Sequence, residues 1–364
     1  MSMTTPLPSI MDLSLKELQQ VMIAKGEPAF RATQIHQWLF SHQAQNFEEM
    51  TILSLGLRKK LAETFAITCP EIIEHHTSFD EACDNPTEKI LLKLSDDKMI
   101  ESVLIPSKER MTACLSSQVG CPFHCSFCAT GKMGLQRNLS AGEIAGQVYA
   151  LNNLIISKGA GQSITNLVFM GMGEPLLNTD NVIEAIETLC ARNYRFTLSQ
   201  KRVTISTVGV IPEIQRIGKS GMKTKLAVSL HAADQQKRES LMPMAARQYP
   251  LQELGKTLSE YCATTGMPVT IVYMLLKGVN DSLVDAKLLA RFSRSFLCKI
   301  NLIDYNSIIN MSFGQVSNAA RDIFREYLVN AGLHVTIRKS YGTTINAACG
   351  QLATTVTAVN RNNL

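Results

Sequence analysis

The sequence predicts an α/β protein: a partial parallel (β/α)6 barrel over residues 107–345, with a helical N-terminal domain over 1–85. A linking β-hairpin over 86–106 joins the two, and a C-terminal segment over 346–364 closes the chain. Three observations carry this expectation. From about residue 107, apolar strand-like runs alternate with amphipathic stretches, the pattern of parallel strands joined by right-handed crossovers. Residues 88–105 instead read as two strands around a turn. Before them the apolar period is that of helices.

The elements follow in order. Ser14-Leu-Lys-Glu17 has capping-box spacing, and Leu15, Leu18, Val21 and Met22 share one helical face until Gly26 and Pro28 stop it. A second helix begins near Phe30 and runs through Ile35, Trp38 and Leu39, with Arg31 and His36 expected on its polar side. A third covers 53–65. This unit suits a cap on the larger domain and an RNA-docking module equally well. Ile90-Leu-Leu-Lys-Leu94 and Ile100-Glu-Ser-Val-Leu-Ile105, separated by Ser95-Asp-Asp-Lys98, make the hairpin. Strands are expected at 111–116, 166–170, 203–206, 226–230, 270–276, 300–305 and Val335–Arg338. Crossover helices are expected at 141–152, 181–191, 251–262 and 283–292. In such barrels the chemistry sits at the C-terminal ends of the strands.

Composition narrows the class. Of 364 residues 45% are hydrophobic, enough for a large core, and 18% are charged, below the usual figure of about a quarter, which argues against extensive disorder. Ten cysteines at irregular spacing do not make a secreted disulfide framework and suit a reducing cytoplasm. Residues 1–15 lack the basic and apolar regions of a signal peptide, and no apolar run reaches the length of about 20 residues that spans a bilayer, so no membrane partner is expected. A net charge of +5 permits a nucleic-acid partner without establishing one.

The densest signal is Cys121-Pro-Phe-His-Cys125-Ser-Phe-Cys128, directly after the first barrel strand. A cubane iron–sulfur cluster normally takes four thiolates. Three in one loop leave an iron open to a non-protein ligand, which is what S-adenosylmethionine (SAM) needs to be chelated and reductively cleaved to a radical. Phe127 is the aromatic residue such loops usually carry. The rival is a structural zinc, which wants four closed ligands and would have to recruit His124. No second Cx2C pair accompanies this loop, which favours the cluster.

Other strand ends carry polar groups. Gly171-Met-Gly-Glu-Pro175 offers Gly173 for close backbone approach to a ligand and Glu174 for a cationic group such as the amino group of SAM. Ser206 follows 203–205, Ser229-Leu-His231 ends another strand, and Asn306 lies beyond a further one. Taken singly these are capping residues; their repeated placement at one end of the barrel points to a ligand. Cys349 sits in Ile345-Asn-Ala-Ala-Cys-Gly-Gln-Leu352, and Cys114 lies in the first barrel strand. Cys190, Cys262 and Cys298 read as ordinary buried thiols. Lys108, Arg110, Lys132, Arg137, Lys201, Arg202 and Lys339 suit phosphate contacts or plain solvated surface.

Together these motifs resemble the RlmN family of radical SAM RNA methyltransferases, from about Phe30 to Leu352. The resemblance is densest at Cys114-Leu-Ser-Ser-Gln-Val-Gly-Cys121, Arg137-Asn-Leu139, Ser229-Leu-His-Ala232 and Ala347-Ala-Cys-Gly-Gln-Leu352. It implies a radical SAM barrel in which Cys121, Cys125 and Cys128 hold a [4Fe-4S] cluster. Gly173, Glu174, Ser206, Ser229, Leu230, His231 and Asn306 would contact SAM, consumed twice per turnover. Cys349 would carry the methyl group, Cys114 would resolve the covalent RNA adduct through a transient disulfide, and Glu101 would accept a proton. The implied substrates are 23S ribosomal RNA and tRNA, methylated at adenosine C2, with an external electron donor such as flavodoxin. Adenine C2 is electron-poor and does not attack a methyl electrophile directly, whereas a thiolate does. Phe30-Arg-Ala-Thr-Gln-Ile35 resembles the accessory domain associated with C2 rather than C8 chemistry. The alternatives are C8 methylation of the antibiotic-resistance type and, in another class, a non-catalytic zinc-stabilised RNA-binding protein.

Overall fold

A single ten-stranded sheet organises the chain, here in a computed structural model that describes residues 7–79, 85–107, 110–158, 163–191, 198–308 and 311–354. Ahead of the sheet come α1 (Leu15–Ala24), α2 (Phe30–Phe40) and α3 (Leu55–Ala62). The Ser14 capping box forms in both directions: Ser14 Oγ accepts from the Glu17 N–H at 3.2 Å, and the Glu17 carboxylate accepts from the Ser14 N–H at 2.8 Å. The expected apolar face is buried through Leu18 and Met22.

Strands β1 (Glu71–Ser78), β2 (Thr87–Lys93), β3 (Met99–Ser107) and β4 (Arg110–Cys114) are antiparallel neighbours. The hairpin expected from the sequence is β2–β3, in register Ile90↔Ser102. It is continuous with the barrel sheet, because β3 also pairs with β4. Strand β1 was not expected. Its Glu-Ile-Ile-Glu-His-His run lacks alternation because it is a largely exposed edge strand, with a register shift between Ile72 and Glu74.

The loop after β4 holds the short pair β5 (Gln118–Val119) and β6 (Arg137–Asn138), with α4 (Ala129–Met133) between them. Then follow α5 (Ala141–Ser157), β7 (Asn166–Phe169), α6 (Thr179–Cys190), β8 (Val203–Thr207), α7 (Ile211–Lys219) and β9 (Lys225–Ser229). The remainder is α8 (Gln235–Leu241), α9 (Pro243–Gln248), α10 (Leu251–Thr265), β10 (Val269–Leu275), α11 (Leu283–Ser293), β11 (Cys298–Asp304), α12 (Asn318–Asn330) and β12 (Val335–Arg338). The sheet runs β1-β2-β3-β4-β7-β8-β9-β10-β11-β12, parallel from β4 to β12. Its order is linear, so the barrel is open. All strand C-termini from β4 onward therefore point the same way, and the loops that follow them meet at one mouth.

His36 departs from its expected polar side: it is buried, with its ring 4.4 Å from that of Phe40. Helix α5 meets the end of α2, where the Tyr149 hydroxyl donates to the Phe40 carbonyl at 2.9 Å. Burial pulls the His36 imidazole down to about 4.

Candidate active site

The cysteine loop is shaped by its backbone. Gly120 has φ +81, and a Cβ there would lie 1.7 Å from the Gly134 carbonyl oxygen, so only glycine lets the two passes of the loop close. The Cys121 N–H donates to that same carbonyl at 3.2 Å, and the Cys128 N–H donates to the Cys125 carbonyl at 3.1 Å. From the far side of the mouth, the Leu241 carbonyl at the end of α8 accepts from both the N–H and the hydroxyl of Ser126, at 2.9 and 3.1 Å.

Cys121, Cys125 and Cys128 line one cavity of about 900 Å³, open solvent included, together with Gly173, Glu174, Ser206, Ser229, His231 and Cys349. Burial, with the charges of Glu174 and the neighbouring thiols, pushes the Cys121 thiol up to about 12 and raises the Cys125 thiol well above its ordinary value. Such thiols stay protonated unless a cation replaces the proton, and an all-sulfur set is the donor chemistry of iron–sulfur clusters. Among the described residues no three His, Cys, Asp or Glu side chains converge on a single ion. A zinc with Zn–S bonds of about 2.3 Å would require such convergence, whereas a cubane places each cysteine on its own iron. His124, the fourth ligand that zinc would need, is exposed, lies off the cavity wall and has its Nδ1 on the Gly131 carbonyl at 2.8 Å. The three thiols therefore fit a cluster better than a closed zinc.

The glycines after β7 also meet a packing demand within the chain. A Cβ on Gly171 would lie 2.7 Å from the Leu115 carbonyl oxygen, and one on Gly173 would lie 2.5 Å from Gln118 Cβ. They let this strand end press against the segment leading into the cysteine loop, although both still line the cavity. Gln118 completes the junction, accepting from the Glu174 N–H at 2.8 Å and donating to Asn138 at 2.8 Å. Glu174 is buried, with one carboxylate oxygen accepting from the Leu176 N–H at 2.9 Å and the other from the Val208 N–H at 2.8 Å. Burial outweighs these bonds and pushes its carboxyl up to about 7, so a cationic group in the cavity would recover the ionised form.

His231 is buried in a left-handed conformation, φ 55, and its Nδ1 accepts from the Met274 N–H at 3.0 Å. Burial pulls it down to about 3, so it is neutral with its proton on Nε2, and Phe127 meets its ring edge-on at 4.7 Å. Asn280 fixes the turn by donating to the carbonyls of His231 and Met274, at 2.6 and 2.8 Å. Two expected contacts lie off the wall. Leu230 is fully buried in the core with its N–H on the Val272 carbonyl at 3.0 Å, and Asn306 is buried with its amide 3.5 Å from the Asp304 carbonyl.

Cys349 stands between the other thiols. It lines the main cavity with Cys128 and also a smaller one, of about 470 Å³, with Cys114. Burial pushes Cys114 up to about 12; the charge of Cys349 adds to this and the Arg338 guanidinium opposes it. The segment around Cys349 is pinned to α4: the Ala129 N–H donates to the Gly350 carbonyl at 2.8 Å, and the Thr130 hydroxyl to the Leu352 carbonyl at 2.5 Å. Its far end reaches Glu101, whose carboxylate accepts from the Ala353 N–H at 2.9 Å and pairs with Lys89 at 2.9 Å. Glu101 is buried on β3, which raises its carboxyl, and it lies off both cavity walls.

Sequence reasoning missed Gln118, Arg238 and Arg338. Arg338 ends β12 and lines both cavities, with Nη1 3.1 Å from Met170 Sδ, so the strand-end rule alone would have found it. Of the suggested phosphate contacts, Arg137 is held in paired bonds by Asp96 and Glu143 at 2.7 to 2.8 Å, and Lys108 lies outside the described residues.

Comparison with known proteins agrees with this geometry. Residues 115–289 match the radical SAM superfamily, and residues 9–67 match the ribosomal RNA large subunit methyltransferase N-terminal domain. A probable dual-specificity RNA methyltransferase RlmN of Pelodictyon phaeoclathratiforme is 73% identical, covering 95% of this chain and 96% of that protein. The corresponding protein of Chlorobaculum tepidum is 52% identical, covering 95% and 93%. The crystal structure of a radical SAM methyltransferase from Sphaerobacter thermophilus superposes with a TM-score of 0.87 at 39% identity, covering 95% of this chain and 99% of that one. Three clustered thiols at the mouth of an open parallel barrel, a fourth on a docked C-terminal segment and these relatives lead to one conclusion: the chain belongs to the RlmN family of radical SAM RNA methyltransferases.

Proposed function

We propose that the protein methylates C2 of adenosine in 23S ribosomal RNA and in tRNA through a methyl group carried on Cys349. The observation that carries this reading is the position of Cys349, on the wall shared by the three-cysteine cavity and the Cys114 cavity. Cys121, Cys125 and Cys128 would hold a [4Fe-4S] cluster, and Glu174, Ser206, Ser229 and His231 would hold SAM. When bound, these groups supply a transferable methyl and, by one-electron reduction, a radical; two SAM molecules are used per turnover.

The chain's own residues do the rest. The Sγ of Cys349 takes the methyl group, which would lose one hydrogen atom to the SAM-derived radical; the carbon would then bond to C2, and one electron would leave the adduct before the C2 proton does. Neutral His231 and hydrogen-bonded Glu174 present one donor and one acceptor to a zwitterionic amino acid moiety. Glu101, bonded to the Ala353 end of the segment, accepts the C2 proton. The Cys114 thiolate attacks Sγ of Cys349; as the S–S bond forms the carbon–sulfur bond breaks, and the electron pair left on the product carbon takes a proton. An external thiol reduces the disulfide, and an external one-electron donor such as flavodoxin serves the cluster. The division at residues 1–85, 86–106, 107–345 and 346–364 and a cytoplasmic location belong to the same proposal. No described helix is long and apolar enough to cross a membrane.

Anaerobic turnover with reconstituted protein, SAM and unmodified RNA fragments, read by nucleoside mass spectrometry, tests it. A 2-methyladenosine peak is expected. An 8-methyladenosine peak would move the chain to C8 chemistry, and no methylated adenosine from protein with a confirmed cluster would reject the substrate.

A further inference from the structure

Arg238, in α8, has no exposed surface. Its Nη1 donates to the Tyr249 carbonyl at 2.9 Å and its Nη2 to the Val208 carbonyl at 2.7 Å, while its buried Nε has no partner. No carboxylate among the described residues pairs with it. Glu174, the buried carboxylate on the cavity wall, takes its bonds from backbone N–H groups instead. A fully buried cation with only carbonyls around it is expensive unless an anion stands close by.

The segments around Arg238 lead to the cysteine loop and to the cavity wall beside it. Leu241, at the end of the same helix, holds Ser126 through its carbonyl. The ring of Tyr249 meets that of Phe123, inside the loop, with centroids 6.4 Å apart. Val208 lines the cavity and donates its N–H to Glu174. The guanidinium and Cys125 also act electrostatically on each other, and burial, with Cys125 opposing it, pulls Arg238 down to about 10.

We infer that Arg238 is a positioning residue for the iron–sulfur centre: its guanidinium is the fixed counter-charge to the Cys125 thiolate and the anionic centre it would hold. This rests on the reading that the three cysteines hold a cluster. A cation so placed favours whichever redox state is more negative, so it keeps the centre easier to reduce. The two carbonyl bonds fix its position, and the unpartnered Nε is a donor left over when they are made.

The test compares the full-length parent, Arg238→Gln and Arg238→Lys after anaerobic reconstitution without SAM. Iron and sulfide per chain, the midpoint potential followed by electron paramagnetic resonance, and the melting temperature of the apoproteins are measured. Arg238→Gln should shift the potential to more negative values, while Arg238→Lys should stay near the parent. A centre that assembles in the Lys variant but not in the Gln variant would likewise support a charge requirement. An unshifted Gln variant, equal shifts in both, or loss of the centre or of the fold in both would reduce Arg238 to a structural tie and overturn the inference. A parent that binds no iron and sulfide would instead sink the cluster reading itself, and this inference with it.

Discussion

At the scale of single residues, the site separates groups that react from groups that hold them. Cys349→Ala should lower methyl transfer to RNA below detection while leaving iron, sulfide and reductive SAM cleavage in place; loss of the iron as well would show that the thiol is structural. Cys114→Ala should trap a protein–RNA adduct visible on a denaturing gel, and free methylated product at the parental rate would refute its resolving role. Gly120→Ala should destabilise the fold by at least about 2 kcal/mol and lower iron content, because positive φ and a clash with the Gly134 carbonyl act together. A melting curve and an iron assay check it. The thiols were legible because their spacing in sequence is itself the chemistry. Arg238 was not, since an arginine inside a short polar helix looks solvated until the fold shows its own side chain turned inward and fully buried. The tight packing of Gly173 was hidden for a related reason: its neighbour, Gln118, is distant in sequence.

Among elements, legibility followed burial. Strands β7 to β11 lie within the parallel sheet, so they read as apolar runs found to within one or two residues. Edge strand β1 and the short helices α8 and α9 bury too little on one face to leave a period. Helix α5 shows the converse, a capped start and a long buried body. Ser140 Oγ accepts from the Glu143 N–H at 3.1 Å, and the Glu143 carboxylate accepts from the Ser140 N–H at 2.9 Å. Ser140→Ala should therefore cost about 1 kcal/mol of stability in denaturant unfolding, with methylation unchanged below the new midpoint. A loss of activity without that shift would mean that the cap acts on the site directly.

For the molecule as a whole, the helical N-terminal part carries a pH liability. His36 has its imidazole held at about 4 against an ordinary value near 6.5. The unfolded chain therefore binds a proton that the folded chain refuses between those limits, and stability falls as pH falls through that window. The penalty is absent above pH ~6.5 and reaches about 3 kcal/mol below pH ~4. Melting temperatures measured from pH 7.5 to 4.5 should decline less steeply in His36→Gln than in the parent; parallel declines would place the liability elsewhere.

The pinning of the C-terminal segment to α4 also has a meaning in time. Thr130 is separated from its partner Leu352 by 222 residues. At the usual elongation rates of about 5–20 residues per second, the ribosome takes roughly 10–40 s to traverse that interval. Throughout it Cys121, Cys125 and Cys128 lack the wall that Cys349, Gly350 and Leu352 later provide. A centre held by these thiols would thus have a window for loading before the last segment is synthesised and covers the cavity.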